Sequence, residues 1–153
     1  KPRTGKAALL HFFKLLTTPH YHNPHASGLE QAWLRLQHHA HPGSRIFLIS
    51  DFRDLTMTAE QHLAQLARHC EIVLIQVYDP LESQLPETGR YRFTDRLREV
   101  MFDSANKAQL YHYQRRFQQR QAHLQQLSHK LNLQWLSCST QQSPLAVLAS
   151  GRL

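Results

Sequence analysis

Several residue types and patterns are scarce in this chain of 153 residues. It has only five glycines, and no glycine-rich phosphate-binding motif follows any predicted strand, which argues against a nucleotide site of that type. The two cysteines, Cys70 and Cys138, form no C-x-x-C pair, so we expect two buried, reduced thiols rather than a zinc or redox motif. There is no G-x-S-x-G sequence, and no apolar run approaches the roughly 18 residues that cross a bilayer. We therefore expect a cytoplasmic protein that is not an enzyme and has no membrane span.

Acidic residues are also scarce, at 11 against 18 lysines and arginines, which gives a net charge of +7. An excess of basic residues is typical of proteins that bind nucleic acid or an acidic partner, and it is also typical of a basic surface that contacts only solvent. Twelve histidines are present, and two clusters stand out, at positions 20, 22 and 25 and at positions 38, 39 and 41. No cysteine or carboxylate lies beside the first cluster, so we interpret these histidines as exposed and solvated.

The sequence does contain alternating helix and strand patterns. Strands are predicted at 46–50, 71–78 and 133–139, and helices at 5–16, 29–37 and 104–132, with a short helix after Ser143-Pro144. This order predicts one α/β domain over residues 1–153, with three layers and a mostly parallel sheet. Thr58 and Gln61 predict a capping box for the helix between the first two strands, and residues 91–93 predict a short edge strand or hairpin. The helix at 5–16 is apolar over more than half its circumference, so we expect the rest of the chain to cover it.

The first strand carries the strongest apolar signal. Its run of four apolar residues, 46–49, predicts a strand that is buried on both faces and central in the sheet. Nothing earlier in the chain has the pattern of a neighbouring strand, so we also expect a bare edge. A bare apolar edge invites pairing, which predicts either a homodimer through the 46–50 edge or a rearranged N-terminal segment that covers it.

Polar residues follow each predicted strand directly. In an open parallel sheet, ligands and partners gather beyond the carboxyl ends of the strands. The residues there form the predicted partner-binding set: Asp51, Asp54, Asp79, Ser139 and Thr140.

Two segments and their order resemble a known family. The segments 44–55 (SRIFLISDFRDL) and 77–82 (VYDPLE), followed by the long helix with Tyr113 and Phe117 and by 136–140 (LSCST), are similar to the C-terminal half of the bacterial domain-of-unknown-function family fifty-eight. The resemblance covers nearly the whole chain. It implies a Rossmann-like fold of the von Willebrand factor A type, present here in truncated form because the first three strands of that fold are absent. The chain begins with Lys1 rather than Met, and we expect it to be a piece of a longer protein.

The resemblance also implies a site and a partner. A-type domains hold magnesium with an Asp-x-Ser-x-Ser motif, a threonine and a further aspartate. Here Asp51 matches that aspartate, Ser27 lies roughly where the threonine belongs, and Asp-x-Ser-x-Ser does not occur. The resemblance thus implies a partial magnesium site, with no cofactor for this chain alone and magnesium in the intact protein. It further implies a non-catalytic interaction module that works beside a MoxR-type AAA+ ATPase in complex assembly.

Two other functions stay open. The long helix carries basic residues that would contact phosphates in a nucleic-acid-binding protein: Arg115, Arg116, Arg120 and Lys130. The other alternative is metal-dependent hydrolysis that uses Asp51.

Overall fold

The computed structural model describes residues 4–18, 28–85, 89–94 and 99–151. Its helices are α1 (Lys6–Thr17), α2 (Gly28–His39), α3 (Met57–Leu66), α4 (Pro80–Ser83), α5 (Lys107–Leu131) and α6 (Pro144–Ser150). Its strands are β1 (Arg45–Ser50), β2 (Glu71–Tyr78), β3 (Arg90–Thr94), β4 (Glu99–Asp103) and β5 (Gln134–Ser139). None of the helices in these ranges is both long and apolar enough to cross a membrane.

The main sheet is parallel and has the strand order β1-β2-β5. Ile46 pairs with Ile72 across β1 and β2, and Val73 pairs with Gln134 across β2 and β5. Residues 72–76 of β2 are all buried, as expected for a middle strand. The α/β class and the three parallel strands are therefore confirmed.

The prediction that β1 is central and buried on both faces is wrong for the described residues. β1 lies at the edge of the sheet, next to β2 only. Successive strand side chains point to opposite faces, and only one face of β1 is covered. Ile46 and Leu48 contact the main core, whereas Phe47 is 44% exposed and Ile49 67% exposed. The unbroken apolar run at 46–49 therefore does not mean that both faces of β1 are buried.

Helices cover the two faces of the sheet unequally. On one face α2, α3 and α5 supply Trp33, Leu63 and Leu124 to a core built on Ile72 and Leu74. On the other face α6 packs Val147 and Leu148 against Val73, Ile75 and Cys138. Burying a large apolar side chain stabilises a fold by about 1.5–3 kcal/mol, so most of the stability comes from the first face. Cys70 and Cys138 are both free and buried, as predicted.

The ends of two helices show how local sequence fixes their bounds. α3 begins at Met57, two residues earlier than predicted, because Thr56, not Thr58, is its N-cap and accepts a hydrogen bond from the Ala59 amide at 3.2 Å. α5 begins after Asn106, whose side chain accepts hydrogen bonds from the amides of Ala108 and Gln109. It ends at Asn132, which has a left-handed φ of 53°.

The segment before α5 forms a hairpin. β3 and β4 pair antiparallel in a separate two-stranded sheet, so the hairpin alternative for residues 91–93 is confirmed. Rings of Phe93 and Phe102 lie 6.2 and 5.7 Å from the ring of Tyr113 on α5. These aromatic contacts fasten the hairpin to the first turns of α5.

α1 is not covered as predicted. None of its residues is buried, and its leucines and phenylalanines are 50–64% exposed. Its helical pattern is confirmed, but the described part of the chain offers no surface that packs over its apolar side.

Candidate functional site

The carboxyl ends of β1 and β2 open into a cavity of about 490 Å³. We call it the strand-end cavity. Because parallel strands end at the same edge of a sheet, the loop after β1, the short helix α4 after β2 and the middle of α5 meet there. The residues that line it are Arg53, Asp79, Leu81, Glu82, Phe93, Tyr113, Arg116, Phe117 and Arg120.

A tight turn after β1 places the first of these side chains. The Ser50 hydroxyl accepts a hydrogen bond from the Phe52 amide, and the Asp51 carboxylate accepts one from the Arg53 amide, at 3.1 and 3.2 Å. Phe52 has a φ of 52°, which costs a non-glycine residue roughly 1–2 kcal/mol. Its ring is almost fully buried in the core, and that burial offsets the cost. The turn leaves Arg53 beside the cavity.

Glu82 joins the three segments that meet at the cavity. One carboxylate oxygen lies 2.7 Å from Nη2 of Arg53 and 3.4 Å from Nη1 of Arg120. The other accepts a hydrogen bond from the Asp79 amide at 3.4 Å, which completes a capping box on α4. The hydrogen bond to Glu82 raises the pKa of Arg53, so this guanidinium stays charged. Glu82 therefore ties the β1 turn to α4 and α5.

Tyr113 adds a second link between α5 and α4. Its hydroxyl donates a hydrogen bond to the Leu81 carbonyl oxygen at 2.8 Å. Burial, and then the negative charge of Glu82, raise the pKa of the Tyr113 phenol above its usual value. The phenol therefore remains protonated at neutral pH and keeps its role as a donor.

The remaining lining residues give the cavity its binding chemistry. Leu81, Phe93 and Phe117 supply apolar surface. Arg53 and Arg120 are paired with Glu82, whereas Arg116 is exposed and makes no hydrogen bond or ion pair with any other described residue. Arg116 also lines a neighbouring cavity beside Phe102 and His112. Among the described residues, Arg116 therefore presents a positive charge without an ion-pair partner beside aromatic surface.

A polar row crosses the sheet close to the same edge. Gln76 pairs in register with Ser50 and Ser137, and Gln121 on α5 donates to the Ser137 hydroxyl at 3.4 Å. Gln76 is fully buried, yet neither its amide nitrogen nor its amide oxygen has a hydrogen-bond partner among the described residues. A buried amide without a hydrogen-bond partner costs about 1–3 kcal/mol.

The structure divides the predicted partner-binding set between two places. Asp51 contacts Arg53 through its carboxylate at 3.3 Å, Asp79 caps α4, and Asp54 is exposed in the same loop as Asp51. Ser139 and Thr140 instead line a separate apolar groove beside α6. All five lie at one edge of the sheet, but of the acidic members only Asp79 lines the strand-end cavity.

The partial magnesium site at Asp51 and Ser27 stays a prediction. Ser27 lies outside the described residues, as do His20, His22 and His25. The Asp51 carboxylate is occupied by the Arg53 side chain and amide. Among the described residues, no group of three or more histidine, cysteine, aspartate or glutamate side chains is placed to hold a metal ion.

The four basic residues considered for nucleic acid are placed differently from one another. Arg116 and Arg120 line the strand-end cavity, and Arg120 is half-buried against Glu82. Arg115 lies 5.9 Å from the centre of the Tyr111 ring, and Lys130 is exposed in the last turn of α5. This explains why Arg120 interrupts the apolar stripe of α5: its partner is a carboxylate on α4.

Six residues that line the cavity were missed as site residues from the sequence: Arg53, Leu81, Glu82, Phe93, Tyr113 and Phe117. One sequence pattern could have identified Glu82. Asp79-Pro80-Leu81-Glu82 has an N-cap aspartate, proline at the first helical position and glutamate at the third, which together indicate a helix start with a fixed glutamate. The contacts from Glu82 to Arg53 and Arg120 span 29 and 38 positions, and no local pattern shows them.

Comparison with known proteins gives one match. A family model described as "Protein of unknown function DUF58" matches residues 1–124 of the 153 residues. No curated protein and no solved structure matches the chain.

Proposed function

Because the chain belongs to the family of unknown function DUF58, we propose that it is a non-catalytic protein-interaction module that binds a partner at the strand-end cavity. The fold we propose for the intact protein is of the von Willebrand factor A type. The partner we propose is a MoxR-type AAA+ ATPase in the cytoplasm, with a shared role in complex assembly. The resemblance of the motifs at 44–55 and 77–82 supports the fold type and the partner.

The single observation that carries the proposal is the composition of the strand-end cavity. It is open, it has apolar surface from Leu81, Phe93 and Phe117, and it has the guanidinium of Arg116, which pairs with no carboxylate in the described ranges. Arginines and aromatic residues dominate the binding energy of many protein interfaces. A partner segment with a carboxylate next to an apolar side chain would satisfy both features.

The charges in the cavity support a binding role over a catalytic one. Arg53 and Arg120 both form ion pairs with Glu82, so the three side chains together keep a net charge of +1. The Tyr113 phenol has a raised pKa and is already used as a donor to a backbone carbonyl. Such groups hold a surface rigid, and a rigid surface loses less entropy when a partner binds.

The proposal is tested with Arg116→Glu and a matched control, Arg115→Glu. Both residues are exposed on the same turn of α5, but Arg115 lies over Tyr111 and does not line the cavity. Binding of a purified MoxR-type AAA+ ATPase from the same organism is measured by isothermal titration calorimetry. We expect Arg116→Glu to weaken binding at least about tenfold, or ~1.4 kcal/mol.

The control separates a local contact from the general effect of charge. Arg115→Glu changes the net charge by the same amount, so we expect it to alter affinity by less than about threefold. Equal losses in the two variants would contradict a contact at the cavity, and so would unchanged binding in Arg116→Glu.

A further inference from the structure

One face of α5 lines two neighbouring cavities. Four of its side chains, at the helical spacing i, i+3, i+4, i+7, line the strand-end cavity: Tyr113, Arg116, Phe117 and Arg120. The same spacing, one turn earlier, gives the side chains that line the second cavity: Gln109, His112, Tyr113 and Arg116. Tyr113 and Arg116 belong to both sets, so the two cavities meet at these residues.

The second cavity lies between α5 and one face of the hairpin formed by β3 and β4. We call it the hairpin cavity, and its volume is about 460 Å³. Side chains alternate between the two faces of a strand, so Val100 and Phe102 line the cavity, whereas Met101 between them does not. Phe93, which pairs with Val100 across the hairpin, lines both cavities. The two cavities therefore form one cleft along α5, which we call the α5 cleft.

The α5 cleft has apolar surface in both of its cavities and Arg116 between them. Leu81 and Phe117 supply the apolar surface of the strand-end cavity. Val100 and Phe102 supply it in the hairpin cavity. Leu81 is 48% exposed and Val100 is 60% exposed, so both are accessible to a binding partner. Arg116 makes no hydrogen bond or ion pair with another described residue, which leaves its guanidinium available for an incoming anion.

We propose that the α5 cleft binds an extended peptide segment in which an aspartate or glutamate lies between two apolar residues. The carboxylate pairs with Arg116, and the two apolar side chains enter the strand-end cavity and the hairpin cavity. In an extended chain alternate side chains point to the same side, so the apolar residues lie two positions before and two positions after the acidic one. This inference rests on the proposed function, because it names the chemistry of the partner segment that the same site accepts.

The charges along the cleft match a single carboxylate. Three arginines and two carboxylates line the strand-end cavity, which leaves a net charge of +1. Two of these arginines pair with Glu82, and the Asp79 carboxylate accepts a hydrogen bond at the start of α4. In the hairpin cavity, Arg116 is the only lining residue of the described chain with a permanent charge. One negative charge at Arg116 therefore complements the whole cleft.

The same balance favours a peptide over a strand of nucleic acid. A nucleic acid carries a phosphate on every nucleotide, and its affinity depends on the number of phosphates that basic side chains neutralise. In the described part of the cleft, Arg116 is the one guanidinium without a carboxylate partner, and Asp79 and Glu82 would repel further phosphates. A peptide needs one charge only and gains the rest of its affinity from apolar contacts.

The class of peptide is tested by selection from a random dodecapeptide library displayed on phage, with the full chain immobilised. We expect the enriched peptides to share an aspartate or glutamate with an apolar residue two positions away on each side. Selection on Arg116→Glu should no longer enrich the acidic residue, because the charge that it pairs with is reversed. Enriched peptides that lack this pattern, or no enrichment on the unmodified chain, would overturn the proposal.

Val100 and Met101 provide a matched pair that tests the hairpin cavity. They are neighbours in β4 and are 60% and 64% exposed, but of the two only Val100 lines the cavity. The dissociation constant of the most enriched peptide, labelled with fluorescein, is measured by fluorescence anisotropy. We expect Val100→Ser to weaken binding at least about fivefold, because apolar contact area is lost, and Met101→Ser to weaken it less than about twofold. Equal effects would contradict binding in the hairpin cavity.

Two further measurements separate the alternatives. Displacement of the labelled peptide by an equimolar single-stranded thymidine dodecanucleotide would indicate a nucleic-acid site and overturn the proposal. If the MoxR-type ATPase binds in an Arg116-dependent manner but the chain selects no peptides of the expected pattern, this inference is wrong and the proposed function is retained. If the chain selects such peptides but does not bind the ATPase, the proposed partner is wrong and this inference is retained.

Discussion

Glu82 is the residue that holds the candidate site together. Its carboxylate contacts guanidinium groups from the β1 turn and from α5, and its own helix is capped by the same side chain. The group is mostly buried, in contrast to the exposed pair of Arg45 and Glu71. Hydrogen bonds to charged groups are worth more when water is partly excluded, so these two glutamates should differ in their contribution to stability.

We expect Glu82→Gln to lower the free energy of unfolding by about 1.5 kcal/mol, because two arginines lose their shared negative partner. Glu71→Gln is the control and should cost about 0.5 kcal/mol or less, since exposed pairs contribute little. Urea denaturation followed by circular dichroism measures both. Equal effects in the two variants would show that Glu82 is not the link described here.

Gln76 has the opposite character, since it is buried without partners. We expect Gln76→Leu to raise the free energy of unfolding by about 1 kcal/mol, because it removes the cost of an unpaired buried amide at nearly constant volume. Gln118→Leu, at an exposed position of α5, should change stability by less than about 0.5 kcal/mol. A clear loss of stability in Gln76→Leu would mean that the amide has a stabilising partner.

The helices and strands were mostly predictable, and the errors share a cause. Apolar periodicity gave the strands and the long helix because it reports which side chains avoid water. It could not place β1 at the sheet edge, since Phe47 and Ile49 are apolar but exposed. The same periodicity led to a wrong prediction for α1. Its apolar pattern predicted a covered helix, but its apolar side chains are exposed in the described chain.

Helix caps also show a limit of prediction from sequence, because residue type alone does not tell which N-cap residue forms a side-chain hydrogen bond. Asn106 caps α5 with two side-chain hydrogen bonds, whereas Ser143 precedes α6 without one, although both residue types favour the N-cap position. We expect Asn106→Ala to lower the free energy of unfolding by about 1 kcal/mol and Ser143→Ala to change it by a few tenths at most. Thermal denaturation of the two variants compares them directly. A larger loss in Ser143→Ala would contradict the capping geometry.

Considered as a whole, the described part of the chain is a parallel sheet with one well-covered face, a second face that α6 covers only in part, and a cavity at its carboxyl edge. The class of fold and the edge where the site lies followed from the order of strands and helices, because parallel strands bring their ends together. The composition of the cavity did not follow, since Arg53, Glu82 and Tyr113 meet only through tertiary contacts. Of the acidic residues predicted to bind the partner, Asp79 is a helix cap and Asp51 forms an ion pair.

The most direct test of partner binding at the strand-end cavity is hydrogen–deuterium exchange of the full chain with and without the MoxR-type ATPase. We expect slower exchange on binding at residues 79–83 and 113–120, the parts of α4 and α5 that line the cavity. Exchange in the last turns of α5, around Lys130, should be unchanged. A complex that protects other segments and leaves 79–83 and 113–120 unaffected would contradict the account.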